Sequence, residues 1–231
     1  MENVIILSPS KEMNEVNLNK KLNLNNLTQI ALNELKNFSK EELKNNFNLS
    51  DEVSNLNYKR YQSTKGDDAI NIYNGISFRN LNFNSLDDKS KIFLDNHLII
   101  LSALFGPITP KSIIFPYRLD FTMPLTINKK SYKSLFKDFY SEYFKNKRVY
   151  NLASNEFSSL FKFSEVINFE FYKDFTTKKK APTATTKKLR GLLARHIGIN
   201  KNFSNDVLMN FKEEGYEFLK LVDTTFIYES K

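Results

Sequence analysis

Four places in the sequence bring together side chains that could bind an anion or move a proton. Ser8, Ser10 and Lys11 follow the all-apolar residues 4–7, and two hydroxyls beside an ammonium at the end of a buried strand could hold a phosphate or a carboxylate. The same residues would also make an ordinary capped turn with a solvated lysine. The turn has no glycine and is not a Walker loop. Arg118 follows Pro116 and Tyr117, so its backbone is held; it could clamp an anion or pair with Asp120. Asn151, Ser154 and Glu156 close a short apolar strand and could bind a polar ligand, with Glu156 as an acid or base, or Ser154 could only cap the next helix.

The fourth place is the most basic part of the chain. On a helix over residues 186–197, Leu189, Leu192, Leu193 and Ile197 fall on one side with His196 among them. Lys187, Lys188, Gly191 and Arg195 fall on the other, and Arg190 belongs to the same basic segment. A glycine inside a helix costs about 1 kcal/mol relative to alanine. It would be explained by the close approach of a partner's sugar-phosphate backbone or by a tight helix crossing inside the protein. Lys178, Lys179 and Lys180 precede this helix, and residues 178–186 read as a flexible loop.

The elements that must position these groups follow from periodicity. Residues 98–105 form the longest apolar run, without alternation, as expected of a strand buried on both faces. Gly106, Pro107 and Pro110 then turn the chain into a loop that reaches Arg118. Helical spacing runs through residues 25–60, with a capping box at Ser39 and Glu42 and a helix start at Ser50. A strand is expected at residues 69–73, a positive-φ turn at Asn74 and Gly75, and a second capping box at Ser85 and Asp88. His97, beside the apolar run, reads as a hydrogen-bonded structural residue. Aromatic residues from Phe136 to Phe144 have core-helix spacing, residues 166–172 alternate as a strand, and two closing strands meet at Asp223. The expected architecture is mixed α/β: a single domain over residues 1–231 with a central, mostly parallel or mixed sheet flanked by helices.

The 34 Lys and Arg outnumber the 26 Asp and Glu, giving a formal net charge of +8 that favours polyanionic partners. Cysteine is absent, which excludes disulfides, a thiolate nucleophile and cysteine-ligated metal. No cofactor motif or metal-ligand spacing is present, and none is expected. The N-terminal residues lack the pattern of a signal peptide and no run is long enough to cross a bilayer, so a cytoplasmic protein without membrane contact is expected.

Several separated blocks resemble the YaaA peroxide-stress protein family. They are Ser8, Pro9 and Lys11; His97, Leu98, Leu101, Ser102, Leu104, Gly106 and Pro110; Pro116 to Leu119; Asn151 to Ser154 with Glu156; Lys187, Lys188, Arg190 to Leu192 and Arg195; and Gly215 with Tyr216. The resemblance implies a positively charged cleft, binding to duplex or branched DNA with little sequence preference, a helix-hairpin-helix element, and a role in limiting peroxide damage by keeping intracellular iron low. A monomer is expected. The chain departs from the family at Gly75, Ile76, Ser77 and Phe78, where Gly-Asp-Val-Tyr is usual, and at Thr109 and Ser112, where an arginine and an aspartate are usual. A lysine-rich loop also replaces a strand before Lys187. If the lost groups contacted DNA, Lys178 to Lys180 could compensate.

Two functions are consistent with these residues. In the first, Lys11, Arg118, Lys187, Lys188, Arg190 and Arg195 line one basic cleft and contact DNA phosphates, with Ser8, Ser10, Asn151 and Ser154 beside them. In the second, an enzyme acts on a small anionic or nucleotide-like substrate, with Glu156 as acid or base and Arg118 and Lys11 as clamps. A long shallow groove favours the first and a compact pocket holding Glu156 and Arg118 favours the second.

Overall fold

Val4 and Ile6 point into one apolar cluster and Ile5 and Leu7 into a second, so the first strand divides two cores. Each such buried side chain contributes about 1.5–3 kcal/mol. The computed structural model describes residues 1–231. In chain order the strands are β1 (Glu2–Leu7), β2 (Lys20–Lys21), β3 (Lys65–Asp68), β4 (Leu98–Ser102), β5 (Gly106–Ile108), β6 (Ile113–Ile114) and β7 (Thr126–Ile127). They continue with β8 (Lys130–Ser131), β9 (Lys147–Asn151), β10 (Glu165–Asp174), β11 (Lys179–Lys180), β12 (Lys212–Glu213), β13 (Tyr216–Val222) and β14 (Thr225–Ser230). The helices are α1 (Asn26–Asn37), α2 (Lys40–Phe47), α3 (Asp51–Arg60), α4 (Ala69–Ile72), α5 (Ile76–Leu81), α6 (Asp88–His97), α7 (Tyr132–Phe144), α8 (Asn155–Ser158), α9 (Thr183–Asn200) and α10 (Asn205–Met209).

The main sheet has the order β12-β13-β14-β10-β9-β1-β4-β5, with β11 paired to β10. Its centre is parallel: β1 pairs with β4 and β9, β9 with β10, and β10 with β14. The outer pairs, β4 with β5 and β13 with β14, are antiparallel. The fold is therefore mixed α/β, as the alternation of apolar runs and helical spacing predicts. Because the chain leaves β1 for β4 on one side and later for β9 on the other, the carboxyl end of β1 is a topological switch point, the usual place for a crevice.

Helix α7 lays Tyr132, Phe136, Tyr140 and Phe144 into the first core, so its aromatics are packing groups. Helix α9 lays Leu189, Leu193 and Ile197 into the second. Ser39 and Glu42 form the expected capping box, and Ser50 and Ser204 cap their helices.

Some local expectations are corrected. Residues 69–72 are helical, since Ala69 and Ile70 amides bond to the carbonyls of Ser112 and Pro110 and turn the chain away from β3. Gly75 has a φ of −72° and precedes a helix; its lack of a side chain is what matters, because a Cβ would lie 2.3 Å from Ser10 Oγ. Asp87, not Ser85, caps α6. Residues 178–186 form β11 and the first turn of α9, with the Ala181 amide bonded to the Phe171 carbonyl. His97 Nδ1 donates to the Asn3 carbonyl at 2.8 Å and its ring packs on Phe93 and Phe203, a structural role. No helix is long and apolar enough to cross a membrane.

Candidate functional site

A cleft of about 360 Å³ opens beyond the carboxyl ends of β1 and β9. Ser8, Ser10 and Lys11 come from the turn after β1, Ser154 from the turn after β9 and Glu156 from the first turn of α8. Arg118 and Asp120 enter from the segment that Pro116 begins, and Lys187 and Arg190 from α9. Glu12, Met13, Ser77, Phe78 and Tyr117 complete much of the wall. Four cations from three separated stretches of chain thus meet in one place.

The floor is built from hydrogen bonds. The Ser154 amide donates to Ser8 Oγ at 2.9 Å and the two hydroxyls lie 3.2 Å apart, which pins the ends of β1 and β9 together. Ser154 makes no side-chain cap on α8. The Tyr117 hydroxyl is shared between Tyr73 at 2.8 Å and Ser102 at 2.7 Å, and burial pushes its acidity to a pKa of about 12, so it is neutral. Phe78 stacks on Tyr73 with ring centroids 5.0 Å apart.

Charge in the cleft is unevenly compensated. Asp120 is nearly buried and lies 3.4 Å from Arg118 and 3.8 Å from Lys11. Burial pushes the Asp120 carboxyl up, but the Thr122 hydroxyl and amide, Arg118 and Lys11 outweigh it and hold it below the usual range. Glu12 is paired with Arg79 at 2.7 Å. Glu156 is exposed and Lys187 makes no ion pair. Arg190 is half-buried, makes no ion pair or hydrogen bond with the protein, and has its affinity for the proton lowered by desolvation. Two carboxylates are paired with cationic neighbours, while Lys187, Arg190 and the carboxylate of Glu156 have no ion-pair partner.

Three of the candidates lie elsewhere. Asn151 donates to Asn168 at 2.9 Å and accepts from the Ala153 amide, holding β9 to β10. Lys188 pairs with Glu214 at 2.7 Å. Arg195 donates to the carbonyls of Leu81 and Asn82 at 3.0 and 2.9 Å, closing the end of α5. The helical arc that grouped Lys188 and Arg195 with Lys187 faces α5 over part of its width: a Cβ on Gly191 would lie 2.1 Å from the Ser77 carbonyl oxygen. The glycine serves a helix crossing, not the approach of a partner. Arg118 pairs with Asp120, as one of its two readings has it, and also lines the cleft.

The wall residues Glu12, Met13, Ser77, Phe78 and Tyr117 carry no spacing signal; Tyr117 lies in a block that resembles the family, Ser77 and Phe78 are marked only as departures from it, and Glu12 and Met13 carry no mark at all. The other departure lies away from the cleft: Thr109 and Ser112 bond to each other, with hydroxyls 3.3 Å apart and the Thr109 amide 2.9 Å from Ser112 Oγ. Helices α2 and α3, joined by three residues with Asn48 at a φ of +51°, have the outline of a helical hairpin.

Fold and cleft together define an open-sheet α/β protein with a charged crevice at the switch point of its strands. The chain belongs to the peroxide stress protein YaaA family, whose sequence model matches residues 4–221. It is 32% identical over 246 aligned positions to a UPF0246 protein of Fusobacterium nucleatum, covering 98% of each chain. It is 30% identical to UPF0246 proteins of Rickettsia felis and of Clostridioides difficile, in each case covering 93% of this chain and 94% of the relative.

Proposed function

We propose that this peroxide-stress family member binds the phosphate backbone of DNA, duplex or branched, with little sequence preference, and seats one phosphate among Lys11, Arg118, Lys187 and Arg190. In the cell this binding would limit oxidative damage, alongside the lowering of intracellular iron that the resemblance implies. The observation that supports the reading most is Arg190. Removing a charge from water without a partner costs several kcal/mol, a cost that is offset when a ligand brings the counter-charge. A guanidinium offers a fork of donors that matches phosphate oxygens, and Ser8 and Ser10 stand across the cleft as further hydrogen-bonding groups.

Gel-shift titration of duplex and branched DNA at several salt concentrations tests this. Each phosphate contact adds about 0.9 to the slope of log affinity against log salt. Arg190→Ala is expected to lower the slope by about 0.9 and weaken binding about tenfold. Binding that ignores salt, or that Arg190→Ala leaves unchanged, overturns the reading.

A second reading rests on the compactness of the cleft and on Glu156, an exposed carboxylate on its wall with no cationic partner. A volume of about 360 Å³ is in the range of small-molecule sites. Here a small anionic or nucleotide-like substrate occupies the cleft and Glu156 moves a proton. Turnover of such a substrate that Glu156→Gln abolishes, with DNA binding absent, would decide for it.

A further inference from the structure

Strand β10 is longer than its neighbour needs. It stays in register with β9 as far as Asn168 opposite Asn151, where β9 ends, and then runs on to Asp174. At about 3.3 Å per residue, the extra six residues carry it roughly 20 Å further, past the carboxyl edge on which the cleft opens. The chain reverses there through Phe175 to Lys178, with Lys178 at a φ of +59°, returns as β11, and enters α9, whose Lys187 and Arg190 line the cleft.

The tip of this arm gathers three lysines that have no ion-pair partner. Lys178 Nζ lies 3.7 Å and Lys220 Nζ 4.2 Å from the centroid of the same Phe175 ring. Lys178, Lys179 and Lys220 are exposed and form no ion pair. None of the carboxylates nearby pairs with these three lysines, although Asp174 and Glu229, bonded to neutral amides, keep their negative charge. Glu170 bonds to Lys180 and Tyr172, Asp174 accepts from the Thr177 amide, and Glu229 accepts from the Phe175 amide. A ring face attracts an ammonium by about 0.5–1 kcal/mol at exposed sites, which holds the two lysines near one another despite their mutual repulsion. An approaching polyanion turns that repulsion into attraction.

We propose that the β10–β11 arm is a second contact for the DNA whose phosphate occupies the cleft, with Lys178, Lys179 and Lys220 as its phosphate-binding groups and Phe175 as the platform that positions two of them. The proposal rests on the DNA-binding reading of the cleft. The partner is nucleic-acid backbone: the arm offers ammonium groups and no array of side chains for reading base edges. With one phosphate per 3.4 Å along a duplex strand, a reach of roughly 20 Å spans about six phosphates. The arm is thus used by a duplex and not by a dinucleotide.

The test uses the full chain and two probes, a labelled 20-base-pair duplex and a 5′-phosphorylated dinucleotide, each titrated at several salt concentrations. The triple variant Lys178→Ala, Lys179→Ala, Lys220→Ala is expected to lower the duplex salt slope by about 2 to 3. It should weaken duplex binding at least tenfold and leave dinucleotide binding as in the wild type. Replacing the same three lysines with arginine should preserve duplex binding, and all variants should match the wild-type melting temperature. A triple alanine variant with the wild-type duplex slope overturns the arm alone. A wild type that binds no duplex, or an Arg190→Ala variant that keeps full affinity for both probes, overturns the cleft reading and the arm with it. Binding to anionic vesicles in place of DNA likewise overturns the proposal.

Discussion

The carbonyl oxygen of Ser77 faces Gly191 so closely that a Cβ on the glycine would stand 2.1 Å from it, and the hydroxyl of Ser77 donates to the Lys187 carbonyl one turn earlier at 2.8 Å. Helices α5 and α9 are therefore in backbone contact at this point, and the contact sets where α9 presents Lys187 and Arg190. Gly191→Ala forces the helices apart. A loss of about 1–3 kcal/mol, the usual cost of overpacking, is expected in chemical denaturation, together with weaker DNA binding. A variant as stable as the wild type would mean that the crossing can open freely.

Arg190 and Arg195 are five residues apart on one helix yet should behave oppositely. Arg195 holds two carbonyls at the end of α5, so Arg195→Ala is expected to lower stability by about 1–3 kcal/mol, the worth of charge-assisted hydrogen bonds. Arg190 holds nothing in the protein, so Arg190→Ala should keep or raise the melting temperature while weakening anion binding. Paired thermal melts and titrations of the two variants would expose any exchange of these roles.

Asp120 gives the fold an acid-sensitive element. Its carboxyl is held below the usual range in the folded chain, so it favours the folded state above the ordinary aspartate value of about 3.9 and loses that effect as pH falls through its lower folded value. Relative to the wild type, Asp120→Asn should be destabilised at pH 7, and the gap should close below about pH 4. Denaturation midpoints for both proteins between pH 7 and 3 measure this; a gap that stays constant would rule it out.

Tyr117 links the cleft wall to the core through Tyr73 and Ser102. Removing its hydroxyl leaves both partners buried with one bond fewer, and Tyr117→Phe is expected to cost about 1–3 kcal/mol. Tyr140, which bonds instead to the Ser102 carbonyl at 2.8 Å, offers a comparison at similar burial. Equal melting temperatures for Tyr117→Phe and the wild type would show that the shared hydrogen bonds contribute nothing net.

The features legible in the sequence are those written in local periodicity. The apolar run after Asn3, the aromatic stripe of α7 and the Ser39–Glu42 box each specify their element within a few residues, and so the central strands β1, β4, β9 and β10, most helices and the turns that carry Ser8, Lys11 and Ser154 could be read directly, whereas Gly106–Ile108, expected as loop, pairs with β4 as β5. Residues 69–73 could not, because a stretch as short as Ala-Ile-Asn-Ile-Tyr suits a strand or a helical turn equally, and bonds to Pro110 and Ser112 decide between them. Nor could the division of labour along α9. Lys187 and Arg190 face the cleft while Lys188 and Arg195 are taken by Glu214 and α5, a choice made by partners distant in sequence.

The place of β1 at the centre of the sheet governs how the chain can be made. Both of its neighbours come later, β4 at residues 98–102 and β9 at residues 147–151. As synthesis proceeds on the ribosome, the first strand has both flanks open until residue 102 has emerged and one until residue 151 has, and an open strand edge invites mispairing. Assembly of the sheet is therefore a late event in translation, gated by pairings of high sequence separation, and the nascent chain depends on its early helices or on a chaperone to shield that strand in the interval.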